Sequence, residues 1–137
     1  MQLEIKFSGS LDDLESLKNR MKKKTDEIGT ILIYVGVVRG SRGEERVLQL
    51  EFEAEEVEME RWMSKVIRNV KAKYGLIDVI VQHRSGTVNA GEDIMHVLVA
   101  SKRRAEAFEA LSEIIDKIKS EPPMRRREIT EGGSYTI

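Results

Sequence analysis

The sequence predicts an α+β fold with a mostly antiparallel sheet and a small C-terminal β-hairpin, and three observations carry that prediction. Segments of period two and segments of period 3.6 follow one another in the order β-α-β-β-α-β-β-α, with a hairpin after the last helix. A double proline, Pro122-Pro123, separates that helix from the hairpin. No linker, repeat or low-complexity tract divides the chain, so residues 1–137 are expected to form a single domain.

Taken in order, Gln2 to Phe7 puts Leu3, Ile5 and Phe7 on one face, the period of a half-buried strand. Ser10 reads as an N-cap, with Asp12 and Asp13 in the first turn of a helix that spaces Leu14, Leu17 and Met21 along one side. That helix closes in Lys18, Arg20, Lys22, Lys23 and Lys24, which complement its C-terminal dipole as a solvated end. Gly29 to Val38 is apolar and β-branched, as expected of a central strand buried on both faces. The loop Arg39-Gly40-Ser41-Arg42-Gly43 follows directly. It reads either as a plain hairpin loop or as an anion site of backbone N–H groups and guanidinium forks, and it lacks the lysine pattern of a nucleotide P-loop.

Val47 to Glu53 alternates, with Leu48, Leu50 and Phe52 on one side and Gln49, Glu51 and Glu53 on the other. From Glu55 the period lengthens, and Met59, Trp62, Met63, Val66, Ile67 and Val70 mark a long amphipathic helix that Gly75 is suited to end. Ile77, Val79 and Val81 lead into His83-Arg84-Ser85-Gly86, and the turn Asn89-Ala90-Gly91-Glu92 precedes a strand from Ile94 to Ala100. After Lys102-Arg103-Arg104, a helix over Ala105 to Lys119 carries Phe108, Leu111, Ile115 and Ile118 on its apolar side. Arg125 to Thr130 and Ser134 to Ile137 flank Glu131-Gly132-Gly133, a good hairpin turn because glycine tolerates positive φ.

Composition limits the chemistry. With 23 basic and 24 acidic residues the net charge is −1, which argues against coating nucleic acid by bulk charge and makes any anion site local. There is no cysteine, so a sulfur reaction would need a partner to bring the sulfur. His83 and His96 lack spacing partners for a metal, and neither a metal nor a cofactor is expected. No apolar run has the length of a signal or membrane span, so the expected location is cytoplasmic, without a membrane partner.

Cations concentrate after strands and after the last helix: Arg39 and Arg42, Arg103 and Arg104, then Lys119 and Arg126. If those strand ends share one edge of the sheet, the groups line one pocket for a phosphate or a carboxylate terminus. Arginine suits permanent bidentate binding, whereas lysine is able to exchange a proton or attack a carbonyl. Lys119 is therefore the basic residue expected to do chemistry, as a general acid/base or an amine nucleophile. The plainer alternative is a lysine that complements its helix terminus beside arginines that alternate faces on a strand.

Val35-Gly36-Val37-Val38-Arg39-Gly40, Leu50-Glu51-Phe52-Glu53-Ala54, His83-Arg84-Ser85-Gly86 with Gly91-Glu92, Arg104 with Ala107-Phe108-Glu109-Ala110, and Lys119 with Pro123 and Glu128 occur in a characteristic order. In order and spacing this set resembles the molybdopterin synthase catalytic (large) subunit family, over about Ile28 to Tyr135. The resemblance implies an α/β-hammerhead-like fold with an added antiparallel subdomain. It also implies an enzyme that takes sulfur from the C-terminal thiocarboxylate of a small ubiquitin-like carrier subunit. That sulfur goes to cyclic pyranopterin monophosphate, forming the dithiolene of molybdopterin. A homodimer within a heterotetramer is the implied assembly.

Carried over residue by residue, Lys119 and Arg126 fall at the family's catalytic positions, and Arg39, Arg103 and Arg104 at substrate-binding ones. Arg103 stands where the family has histidine, Arg126 where it has a second lysine, and Arg125 where it has tryptophan. Arg126 keeps the charge but, as a permanent cation, cannot act as a nucleophile or an ordinary acid/base. A catalytically divergent homologue that binds a Gly-Gly tail or an anion is the alternative. A small RNA-binding module is a further one, opposed by the near-neutral charge and the lack of an aromatic pair for base stacking.

Overall fold

Two sheets meeting at a seam organise the chain. A computed structural model describes residues 4–120 and 122–137, so Gln2 and Leu3 of the expected first strand lie outside the described residues. The elements are β1 (Glu4–Ser8), α1 (Leu14–Lys22), β2 (Thr30–Val37), β3 (Ser41–Arg42), β4 (Glu45–Glu53), α2 (Glu56–Tyr74), β5 (Asp78–Arg84), β6 (Gly86–Asn89), β7 (Asp93–Ser101), α3 (Arg104–Ser120), β8 (Arg125–Thr130) and β9 (Gly133–Thr136). The α+β class and the largely antiparallel pairing expected from the sequence are present, but the strands divide between two sheets instead of one.

The first sheet has the order β1-β5-β7-β2, with β1 parallel to β5 and the other pairs antiparallel. Its two middle strands, β5 and β7, are the ones buried on both faces. Val79, Val81, Val97 and Val99 pack under α2 and α3, while Ile80, Leu98 and Ala100 pack under α1. Each such aliphatic side chain taken fully out of water contributes roughly 2 kcal/mol, which fixes the register of both strands.

The Gly29–Val38 run was expected to be a central strand, and here the structure corrects the reading: β2 is an edge strand. Leu32 and Tyr34 pack toward the α2 and α3 side and Ile31 toward α1, but Ile33 and Val37 remain 41% and 47% exposed. An apolar run reports surface to be covered, not whether the same chain covers it.

Helix ends follow local hydrogen bonding. Asp13, not Ser10, caps α1 by accepting from the Ser16 N–H, and Asp12 instead meets the Gln82 amide. Glu55 caps α2 by accepting from Val57 and Glu58, and Gly75 ends it in the left-handed region at φ 62°. Met59, Met63, Ile67 and Val70 form the buried stripe of α2. The buried stripe of α3 is Ala107, Ala110, Ile114 and Ile118; Phe108, expected on the apolar side, points outward at 61% exposure. Small alanines bring α3 close to α2 and the sheet, and that shifts the contact line off Phe108.

The second sheet is built on β4. β8 pairs along one side of it and carries β9, while β6 and the short β3 also pair with β4. The expected terminal hairpin, β8 and β9, is therefore an integral part of this sheet. Val38, Val47, Leu50, Phe52 and Val88 form its own core. Ile94 and Met124 pack against both this core and the α2/α3 core, and they mark the seam.

Candidate active site

A cleft of about 730 Å³ opens at that seam, and among its lining residues are Arg39, Lys119 and Arg126. Each is delivered by a separate device. Val38, almost fully buried, is pinned by Val38 N–H to the Glu92 carbonyl and by Gly91 N–H to the Val38 carbonyl. Val47 N–H donates to the Gly40 carbonyl on the other side, so Arg39 projects from a segment fixed at both ends. Lys119 lies in the last turn of α3, next to the buried Ile118. Pro122 and Pro123 prevent the helix from continuing, and the Met124 N–H turns back to the Pro122 carbonyl at 2.7 Å. Arg126 sits on β8 opposite Phe52 of β4.

Lys119 and Arg126 are in contact with one another's elements: Arg126 Nη1 approaches the Lys119 carbonyl oxygen at 3.4 Å. The Lys119 ammonium stands 5.9 Å from the centroid of the Tyr34 ring, a cation–π distance. Arg126 Nε–H is buried with no acceptor among the described residues, and Arg39 has no ion-pair partner there. The cleft thus holds unspent donor capacity and net positive charge, an arrangement that favours an anionic ligand.

Arg42, grouped with Arg39 in the sequence, also lines the cleft and at the same time serves the frame. Its Nη1 donates to Glu128 Oε1 at 3.0 Å, and its guanidinium stacks over the Tyr135 ring at 4.1 Å. Tyr135 in turn donates its hydroxyl hydrogen to Glu45, whose carboxylate also accepts from Thr130 and is held below the usual carboxylate range, mainly by that Thr130 bond. These contacts fasten the β3 turn onto β8 and β9, so Arg42 positions the loop that carries Arg39.

Arg103 and Arg104 are not at this cleft. They begin α3 and Lys119 ends it; fifteen residues at 1.5 Å each put the ends roughly 22 Å apart. Arg103 is 83% exposed and pairs with Glu106 at 3.3 Å. The expected convergence therefore holds within one chain for Arg39, Arg42, Lys119 and Arg126 and not for Arg103 and Arg104. Sequence reasoning missed Tyr34 and His83 as cleft residues; both lie in strands whose apolar neighbours read as ordinary core.

Among the described residues, no group of three or more His, Asp or Glu side chains is placed to hold a metal ion. No helix among them is long and apolar enough to cross a membrane. The basic end of α1 is largely engaged: Lys18 pairs with Glu15, Arg20 with Glu4 and Asp12, and Lys24 with the buried Asp78 at 2.8 Å.

Fold and cleft together define a two-sheet α+β protein with a cationic site at the seam. The model of the family described as MoaE protein matches residues 10–121. The molybdopterin synthase catalytic subunit of Thermoplasma volcanium is 36% identical over 118 residues, 86% of this chain and 85% of that one. That of Pyrococcus abyssi is 32% identical over 109 residues, 80% and 74% of the two chains. The crystal structure of molybdopterin synthase from Staphylococcus aureus shares the fold, with a TM-score of 0.85 at 22% identity over 96% of this chain and 95% of that one. The chain belongs to the molybdopterin synthase catalytic subunit family.

Proposed function

We propose that this chain is the large subunit that moves sulfur from the C-terminal thiocarboxylate of a small ubiquitin-like carrier to cyclic pyranopterin monophosphate, forming the molybdopterin dithiolene. The observation that carries the reading is the meeting of Arg39, Lys119 and Arg126 in one cleft of a family member. Donor tail and acceptor are both anions, and cations fixed in advance stabilise them without reorganising. With no cysteine in the chain, the sulfur has to arrive on the carrier. A structural neighbour is the complex of subunits 1 and 2 of the molybdopterin-converting factor from Helicobacter pylori, with a TM-score of 0.74 at 22% identity.

In this reading Arg39 and Arg126 hold anionic groups, and Lys119, the one of the three able to exchange a proton or attack a carbonyl, does the chemistry. The assembly is a homodimer with a carrier at each end, working in the cytoplasm without nucleic acid, membrane, metal or cofactor. The uncovered edge of β2, with Ile33 and Val37, is the surface suited to a second copy. A role for Arg103 and Arg104 in substrate binding requires that second copy to supply them.

Arg126 in place of the family's second lysine favours one other reading, a divergent member that binds a tail or an anion without catalysing the transfer. The test is conversion of cyclic pyranopterin monophosphate by the chain with thiocarboxylated small subunit, run beside Arg126→Lys. Product formed by wild type supports the enzyme. No product from wild type, with product from Arg126→Lys, establishes the divergent member. Failure of both forms to convert substrate or bind the carrier overturns the function.

A further inference from the structure

His83 lies on β5 and lines the same cleft. Its ring packs against Phe7, centroids 5.6 Å apart, and edge-on against Phe52 at 5.0 Å. Nδ1 is 2.8 Å from the carbonyl oxygen of Arg84. A carbonyl only accepts, so Nδ1 carries the hydrogen, and in the neutral ring Nε2 presents a lone pair. Nε2 has no partner among the described residues and, unlike the unpaired Arg84 Nε, His96 Nδ1 and Arg126 Nε, is not wholly shut off from solvent. With His83 lining the cleft, Nε2 is the ring's unpaired acceptor.

Burial pushes the His83 pKa down to about 4, and the nearby Arg126 charge adds to that push. At neutral pH the ring is uncharged. The free cations of the cleft, Arg39, Lys119 and Arg126, offer donors only, and Glu128 already accepts from Arg42 at Oε1. A flat heterocycle bearing N–H groups loses its hydrogen bonds to water on entering unless an acceptor replaces them.

We propose that His83 Nε2 is the specificity-determining acceptor for a ring N–H or O–H of the anionic heterocycle that enters the cleft. The proposal rests on the substrate reading above and adds a division of labour. The cations take the anionic group, and the imidazole, backed by Phe52, selects the ring. An anion without a ring donor binds the cations and is indifferent to His83.

The test compares binding of cyclic pyranopterin monophosphate and of inorganic phosphate to wild type, His83→Gln and His83→Asn. Glutamine carries an amide oxygen to about the position of Nε2. Asparagine keeps a donor for the Arg84 carbonyl but does not reach the cleft. His83→Asn is expected to weaken the heterocycle about threefold to tenfold, with His83→Gln within about twofold of wild type and phosphate unchanged in both. Equal affinity of wild type and His83→Asn for the heterocycle overturns the proposal, and so does equal weakening of heterocycle and phosphate, which marks a structural role. Nitrogen-15 NMR of the wild-type chain gives a readout that needs no variant. The His83 Nε2 resonance should move on adding heterocycle and stay on adding phosphate, and an unmoved resonance overturns the acceptor role. Absence of heterocycle binding by wild type overturns the substrate reading, and this proposal with it.

Discussion

Acid should unfold this protein in a way that His83 dominates. The ring ionises near its ordinary 6.5 in the unfolded chain and near 4 in the folded one, because burial opposes the charged form. Between those values the unfolded chain binds a proton that the folded chain refuses, so stability is full above about pH 6.5 and falls as the pH drops toward 4. A difference of that size corresponds to about 2 kcal/mol lost by pH 5 and about 3 kcal/mol by pH 4. Carboxylates act lower down. Asp12, held below its ordinary range first by its Gln82 hydrogen bond, and Glu113, held first by Lys73, lose their contributions progressively as the pH falls from their ordinary values through their lowered folded ones. Urea unfolding at pH 7.5, 6, 5 and 4 measures the slope, with His83→Gln as the control that cannot titrate. The variant should be flat from pH 7.5 to 5 where wild type declines. A decline of the same steepness in both would show that the ring is not held neutral by burial.

Three further predictions concern stability. Lys24→Ala leaves the fully buried Asp78 without the Lys24 ammonium, which stands 2.8 Å away, and should cost about 3 kcal/mol by urea unfolding. Asp78→Asn should cost less, because Lys24, 32% exposed, returns to water. Gly29→Ala would drive its methyl group into the backbone carbonyl of Lys102, where Gly29 N–H already bonds to the Ser101 carbonyl, and should lower stability by about 2 kcal/mol or more in thermal melts. Arg42→Ala strips Glu128 of its partner and Tyr135 of its stacked guanidinium, and should cost about 2 kcal/mol while weakening phosphate binding through the loosened Arg39 loop. Unchanged unfolding in Arg42→Ala would remove the reason given for the loop's position.

Much of the fold was legible because periodicity and punctuation are local. The stripe Met59, Met63, Ile67 and Val70, the stop at Gly75, and the turn at Glu131-Gly132-Gly133 all come from side chains or φ preferences within a few residues of each other. What the sequence concealed depends on distant partners. The Ser10 cap failed because Asp13 meets the Ser16 N–H while Asp12 is bound by Gln82, seventy residues away. β2 looked central because nothing local distinguishes an apolar edge from an apolar centre. β3 and β6 are too short to show a period at all, and they exist because β4 offers them backbone partners.

The site divides the same way. Lys119 was legible from the helix stop at Pro122-Pro123 and from the family resemblance, which also singled out Arg39 and Arg126. Their convergence depends on β8 running beside β4 and on β2 ending at the seam, and the sequence states neither. Arg42 shares the cleft with Arg39, but its ties to Glu128 and Tyr135, both more than eighty residues later, are not visible in the sequence. Arg103 and Arg104 looked convergent because a strand end and a helix end are adjacent in sequence to different strand ends, but α3 carries them to its far end.

The central claim is that Lys119 acts by exchanging a proton or attacking a carbonyl, with Arg39 and Arg126 supplying charge. Its most direct test is the rate of sulfur transfer to cyclic pyranopterin monophosphate at saturating substrate for wild type, Lys119→Ala and Lys119→Arg. Arginine preserves the positive charge and the place beside Tyr34 but not the exchangeable proton. Both variants should lose about a hundredfold to ten-thousandfold in rate with the carrier still bound. A Lys119→Arg enzyme within tenfold of wild type would contradict the claim, because charge alone would then suffice.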